Sequence, residues 1–363
     1  MLVGHEQRIA VVRLAKIACI LAILLVLAIH LGNSTERWET VQLRRIVRDQ
    51  KYGYVDRRGK IVIPPQFYWG DEFSEGLAAV FVCGKEGYID QRGDLIILAQ
   101  FDHAGSFADG LAAVATGGKV GFIDQNGRVL IPARFQDALP FSEGFAPVKF
   151  DSAWGYIDKK GRVVVPPRFR FAGTFSEGRA PVETLQGRAG FINYSGQLII
   201  SDISSLFGFR DGLAPVTAEA KKHGYINREG AIAIASSFED AYGFSEGLAA
   251  VKQNGKWGYI NKLGNVTIEF QFDGASQFSE GRAFVQIGDN WIYIDRSGSR
   301  VTKLGFAWAS SFASGMALVP LSESQWGYIG LEGSVVWRAP MSEKPDHRPI
   351  QGWTDEDAKR SCK

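Results

Sequence analysis

The sequence predicts an all-β repeat array of about nine 34-residue units, each a three-stranded meander, behind one N-terminal transmembrane helix. Three observations carry that expectation. A Gly-aromatic-Ile/Val-Asp/Asn string begins at Gly53, Gly87, Gly121, Gly155, Gly190, Gly224 and Gly258, and in weakened form at Ile292 and Gly327. The steps between copies are 34, 34, 34, 35, 34, 34, 34 and 35 residues, a period that marks a stacked repeat. Glycine is 42 of 363 residues while proline is only 13, so the excess belongs to turns rather than to a collagen-like or low-complexity tract.

The first element stands apart from the repeats. Residues 17–31 read IACILAILLVLAIHL, with His30 the only ionisable side chain, and Arg8, Arg13 and Lys16 precede them. A basic segment before an apolar run is the pattern of a signal sequence. Extended back through Ala10, the run reaches about twenty residues, the length that spans a bilayer. Residues 1–35 are therefore expected to be an uncleaved signal anchor, with a secreted form after cleavage as the alternative. No amphipathic period relieves the run, which disfavours a soluble surface helix. Basic residues stand on both sides of it, so the positive-inside rule leaves orientation open.

Within each unit the first strand is the Leu77-Ala78-Ala79-Val80 type. A short hairpin leads to the Gly-Tyr-Ile-Asp strand. An x-x-Gly turn, closing on Gly59, Gly93 and their equivalents, leads to the Lys60-Ile61-Val62-Ile63 strand. An Asp or Asn three residues before a Gly is the chemistry of a turn with one left-handed residue. Pro64-Pro65 ends the third strand because proline donates no ladder hydrogen bond. A crossover with two phenylalanines follows, ending in Phe-Ser-Glu-Gly at Phe73, Phe141, Phe175, Phe244 and Phe278. Its glycines Gly76, Gly110 and Gly144 are expected at positive φ or in close backbone contact. Residues 41–47 complete the first unit, so residues 36–337 form the repeat domain and residues 338–363 a flexible polar tail. Both faces of each small sheet are apolar, so neighbouring units must cover them.

Two architectures satisfy that demand. An open β-superhelix, or solenoid, is the expectation. A closed β-propeller is the alternative, since propeller blades usually take four strands, about 40–45 residues and rings of four to eight.

Lys256-Trp257-Gly258-Tyr259-Ile260-Asn261, with partial copies at Trp154-Gly155-Tyr156 and Trp326-Gly327-Tyr328, resembles the WG-repeat (KWG-repeat) family of bacterial proteins. The resemblance covers residues 40–337. It implies a binding or scaffolding module and brings no catalytic residues. The Trp column departs from the pattern at Tyr52, Glu86, Val120, Ala189 and His223.

Composition and spacing exclude several chemistries. Lys+Arg minus Asp+Glu is 41 − 39 = +2, and the array between residues 51 and 337 holds 28 basic against 30 acidic residues, which argues against a nucleic-acid partner. Cys19, Cys83 and Cys362 fit neither a disulfide framework nor a zinc motif, and Cys83 is expected to act as a small hydrophobe. The Asp/Asn column (Asp56, Asp90, Asp124 and on) suggests calcium, but Asn replaces Asp in three copies and basic residues follow it, so the turn explains it better. The Glu column (Glu75, Glu143, Glu177, Glu246, Glu280) suggests a glycosidase pair, but catalysis needs two differently tuned acids, not five equivalent ones. The histidines are scattered, and no cofactor is expected.

The expected function is a membrane-tethered, noncatalytic binding or scaffolding domain facing the cell envelope. An envelope hydrolase acting on polysaccharide and a spacer without specific ligand are the alternatives. Candidate partner residues come from the crossover. Three residues after Phe67, Phe101, Phe135 and their equivalents the column is small (Gly70, Ala104, Ala138, Ala172), which reads as packing. Two residues after, it is variable: Trp69, His103, Asp137, Phe171, Ser205, Asp240, Gly274 and Trp308. A repeat tolerates such variety at a surface. Trp69, Phe171 and Trp308, with Tyr68 and His103, are therefore expected to line the ligand-facing side, since aromatics favour recognition.

Overall fold

Gly-Tyr-Ile-Asp is the middle strand of every meander. In the seventh unit Lys256–Asn261 pairs antiparallel with Leu248–Gln253 on one side and Val266–Phe272 on the other. The pattern runs from Leu43–Arg48, Lys51–Asp56 and Ile61–Phe67 in the first unit, where the third strand continues through Pro64-Pro65 instead of ending there, to Met316–Pro320, Gln325–Gly330 and Val335–Pro340 in the ninth. The computed structural model describes residues 42–201, 203, 207–217 and 221–345, all within the compact unit Gln42–Lys363. The expected anchor, residues 1–35, lies outside the described residues. Among the described residues no helix is long and apolar enough to cross a membrane.

The Asp-x-x-Gly turn holds its strands with one side-chain oxygen. The Asp56 carboxylate accepts from the backbone N–H groups of Arg58 and Lys60, each at 2.9 Å. The Gly59 N–H closes the turn on the Asp56 carbonyl at 2.9 Å. Asn193, Asn227 and Asn261 make the same two bonds through Oδ1, so a single acceptor suffices and Asp and Asn exchange freely.

The glycine of Gly-Tyr is required by close approach. A Cβ on Gly87 would stand 2.4 Å from the Ile97 carbonyl oxygen and 2.7 Å from the Ala99 nitrogen, where the third strand slips register. The eighth unit has Ile292 at this position. There the third strand is reduced to two isolated bridges, Trp291 with Phe306 and Ile294 with Arg300. An isoleucine side chain occupies the space that the neighbouring backbone takes elsewhere.

The Phe-Ser-Glu-Gly segments form two-residue turns with both central residues left-handed. Glu75 and Gly76 have φ of 50° and 85°, and Ser74 and Leu77 exchange backbone hydrogen bonds at 2.9 and 3.1 Å. This is the hairpin geometry whose twist matches its strands. Gly110 and Gly144 also hold positive φ, and a Cβ on any of these three glycines meets nothing within 4 Å. Backbone conformation alone selects glycine here.

Before the turn, in five units, the crossover adds a short fourth strand to the next sheet. Trp69–Gly70, His103–Ala104, Asp137–Ala138, Asp240–Ala241 and Gly274–Ala275 each pair with the opening strand that follows them. In the fourth unit the third strand and crossover fuse into Val163–Ala172, joining two units in a seven-stranded sheet. Of the small column, Gly70, Ala104 and Ala172 are buried, as packing requires.

The core lies between units, not within them. Leu43, Tyr54 and Ile63 of the first unit pack with Ala78, Val80 and Ile89 of the second. Equivalent clusters fill every later junction, through Tyr293 and Phe306 of the eighth unit against Phe312, Ala317, Val319 and Ile329 of the ninth. One further cluster joins the ends: Ile46 and Val55 of the first unit with Met316, Trp326, Tyr328 and Ala339 of the ninth. The Tyr328 hydroxyl donates to the Arg45 carbonyl at 2.8 Å, and Arg44 Nη1 donates to the Ala313 carbonyl at 3.2 Å. The turn glycine repeats the message. A Cβ on Gly93 meets Ile63, one on Gly127 meets Ile97, and one on Gly59 would strike the Val336 carbonyl of the ninth unit at 1.8 Å.

The expectation of an open β-superhelix is therefore corrected: the repeat domain closes on itself. The physical reason is that each apolar sheet face needs a neighbour, and closure leaves no end face exposed. Apart from the seven-stranded sheet shared by the fourth and fifth units, the sheets among the described residues remain separate and do not merge into one barrel.

The repeated tyrosine ties each middle strand to the next crossover. Tyr54, Tyr156, Tyr225, Tyr259 and Tyr293 donate at 2.6–2.8 Å to carbonyls seventeen residues ahead, at Asp71, Gly173, Tyr242, Ser276 and Ser310. Tyr328 uses Arg45 instead, across the closure. Burial raises all six phenols above their ordinary value, with Tyr328 pushed up to about 12. The unfolded chain ionises its tyrosines near pH 10. It therefore holds fewer protons than the folded chain above that pH, and folding stability falls as pH rises from 10 through the folded values. Ultraviolet titration is expected to show these phenolates appearing together with loss of tertiary circular dichroism. Smooth ionisation near pH 10 in a folded protein would contradict their burial.

Candidate binding surface

Two repeated columns that looked chemical are spent between units. Ser74, Ser142, Ser176, Ser245 and Ser279 each donate their hydroxyl to the phenylalanine carbonyl of the next turn, at 2.6–2.8 Å. The acid after them accepts the glycine N–H of the next turn: Gly110 to Glu75 at 3.0 Å, Gly144 to Asp109 at 2.6 Å, Gly212 to Glu177 at 2.8 Å and Gly315 to Glu280 at 2.8 Å. The partner is the adjacent unit, and the signal for it was the recurrence of Ser-Glu at the unit period. The belt takes further support from side chains about fifty residues ahead, Gln125 on Glu75, Lys159 on Asp109 and Tyr194 on Glu143. At Asp109 partial burial opposes ionisation, yet the Lys159 ammonium and the Gly144 amide hold its carboxyl below the ordinary value.

The structure separates the five candidate partner residues. Trp69 is 4% exposed and packs in a core cluster with Tyr52, Leu77 and Phe101. It is removed from the binding surface: the short strand Trp69–Gly70 turns its ring into the junction between units. His103 is exposed, with Nδ1 3.2 Å from the buried Glu86 carboxylate, which also accepts the Ala104 N–H at 2.6 Å. Phe171 is 36% exposed, opposite Glu183 in the strand register. Tyr68 is half-buried, with the Lys51 ammonium 2.8 Å from its ring centroid. Trp308 is half-buried under the Lys344 ammonium at 4.2 Å. Of the rest of the column, Asp137 and Asp240 are exposed, so it is a surface with one buried member among the described residues. Cys83, expected to act as a small hydrophobe, is instead exposed in a hairpin turn at φ 52°.

Sequence reading missed one concavity. A cleft of about 530 Å³ is lined by Arg168, Phe169, Thr184, Leu185, Gln186, Gly196, Gln197 and Leu198. The long strand Val163–Ala172 forms one wall, and the hairpin between Ala180–Thr184 and Ala189–Ile192 forms another. Arg168 Nη2 donates to the Gly196 carbonyl at 2.5 Å, fixing the base of the cleft. Among the described residues no cluster of three or more His, Cys, Asp or Glu side chains is arranged to hold a metal ion.

The family model described as "WG containing repeat" matches residues 52–85, 87–119, 121–152, 154–184, 190–221, 224–257 and 257–291. Comparison with curated proteins gives no match. Among solved structures, BamB from Moraxella catarrhalis is similar at 12% identity and TM-score 0.41, over 72% of this chain and 92% of that one. Sqt1 from Saccharomyces cerevisiae is similar at 11% identity and TM-score 0.40, over 67% and 90%. The extracellular domain of the hybrid two-component protein BT3049 from B. thetaiotaomicron is similar at 11% identity and TM-score 0.26, over 82% and 50%.

Proposed function

Since the chain belongs to the WG-repeat family, we propose that its repeat domain is a noncatalytic binding or scaffolding module, held at the cell envelope by the apolar segment of residues 17–31. The finer fold within that reading is a nine-bladed β-propeller with three long strands per blade. The observation that carries the functional reading is the division of labour among repeated side chains. The Asp/Asn, Ser, Glu and Tyr columns are committed to turns and to bonds with neighbouring units. The variable crossover column, with His103, Phe171 and Trp308, is left on the surface. Such a division fits a rigid scaffold that presents differing side chains from equivalent positions.

The test is capture by photo-crosslinkers placed at His103 and Trp308 in the full chain in its native envelope. A defined partner is expected; capture through His103 is lost in Phe171→Ala and Trp308→Ala variants that melt like the wild type. Crosslinking that is unchanged in those variants, or hydrolysis of an envelope polysaccharide by the pure chain, would overturn the reading. Carbonate washing tests the tether separately: the uncleaved chain is expected to stay with the membrane, and its full release would refute the anchor.

A further inference from the structure

The stretch where the fourth and fifth units share one sheet is unlike the rest in charge and in shape. Residues 159–188 hold seven basic side chains and two acidic ones, 7 − 2 = +5. The rest of the 28 basic and 30 acidic residues between positions 51 and 337 is then 21 against 28, a balance of −7. Part of that segment builds the cleft: Lys159 and Arg162 pair with Asp109 and Asp158, and Arg179 donates to the Arg228 carbonyl, while Arg168, Arg170 and Arg188 belong to the strand and hairpin that form the cleft. Arg168 lines it. Arg170, two residues along the same strand, is ion-paired with Glu183, the neighbour of the lining Thr184. Arg188 closes the adjoining turn, its N–H bonded to Thr184 Oγ1 at 3.1 Å.

The remaining lining combines neutral hydrogen-bonding groups with apolar patches. Gln186 and Gln197 are exposed and present amides, and Thr184 presents a hydroxyl. Leu185 and Leu198 are 58% and 37% exposed, and the Phe171 ring flanks the same strand pair. We propose that this cleft binds an acidic oligosaccharide whose sugars carry carboxylates. Amides and hydroxyls meet sugar hydroxyls, leucine and phenylalanine surfaces meet the C–H faces of the rings, and the guanidinium excess meets the uronate groups. An acidic peptide carries the same charge and is the competing ligand against which the titration is read. The inference rests on the binding-module reading and names the ligand class of one surface within it.

The experiment is calorimetric titration of the full chain with tetragalacturonate, with neutral galactotetraose and with a tetraglutamate peptide. Tetragalacturonate is expected to bind at least tenfold more tightly than either, and to weaken as salt rises. Gln186→Ala and Arg188→Gln are each expected to weaken it at least fivefold without changing the melting temperature, while Lys262→Ala, exposed in a different unit and outside the crossover column, leaves it unchanged. A flat titration with tetragalacturonate, equal binding of the peptide, or insensitivity to both cleft variants would overturn the proposal. Partner capture at His103 and Trp308 persisting beside a flat titration would sink this proposal alone. Loss of both would sink the binding-module reading as well.

Discussion

Replacing Trp326 by alanine is expected to cost about 3–5 kcal/mol of stability, the loss typical of truncating a fully buried tryptophan. Trp326 is completely buried, in the cluster that joins the ninth unit to Ile46 and Val55 of the first, and its ring stands edge-on to Tyr328 at 5.5 Å between centroids. The size of the effect follows from closure. At the free end of an open array the same side chain would lie against solvent, and its removal would cost much less. Denaturant unfolding monitored by fluorescence measures the difference. Tyr328→Phe is the milder companion, removing the hydroxyl with its bonds to the Arg45 carbonyl and the Arg44 side chain and costing about 1 kcal/mol.

The second large effect is expected at Gly258. A Cβ there would stand 2.7 Å from the Ile268 carbonyl oxygen, 3.0 Å from Phe270 Cδ1 and 3.1 Å from the Glu269 carbonyl carbon. Two of these three neighbours are backbone and cannot swing away. Gly258→Ala is therefore expected to cost about 2–3 kcal/mol through overpacking of the strand pair. Gly144→Ala provides the control. Its Cβ enters open space, and only the positive φ of 86° opposes it, so the cost is about 1–2 kcal/mol. Chemical denaturation of the two variants separates close approach from backbone conformation. Equal costs would show that the register slip at Gly258 does not depend on the missing side chain.

The meander, its turns and the nine-fold period were legible because each rests on local chemistry written in the sequence. Asp56 to Gly59 is a turn whatever surrounds it, and Gly76 is left-handed because its own hairpin requires it. Closure was not legible. Nothing local in Arg44-Arg45 or Trp326 says that the two meet, and unit size and strand number pointed to an open stack. The only trace was negative: both end units are apolar on faces that an open array leaves bare. The candidate surface was legible as a column but not residue by residue. Trp69 and Phe171 hold the same position in two units, yet Trp69 is buried against Tyr52 and Leu77 while Phe171 lies on the longer fused strand and stays exposed. The cleft escaped because it is made by a hairpin, a neighbouring turn and a long strand together, although the local excess of arginine marked its place.

The central claim is that the array closes through its first and ninth units. The most direct measurement is the distance between spin labels attached at Arg57 and Ala313 through noncanonical side chains, read by pulsed electron resonance. Both sites are exposed, and a Cβ on Gly315, two residues from one of them, would lie 4.0 Å from Arg57 Cβ. The closed ring predicts a single narrow separation of no more than roughly two sheet spacings, about 20 Å. Nine sheets stacked openly about 10 Å apart would hold the labels about 80 Å from each other, and that result would contradict the closure.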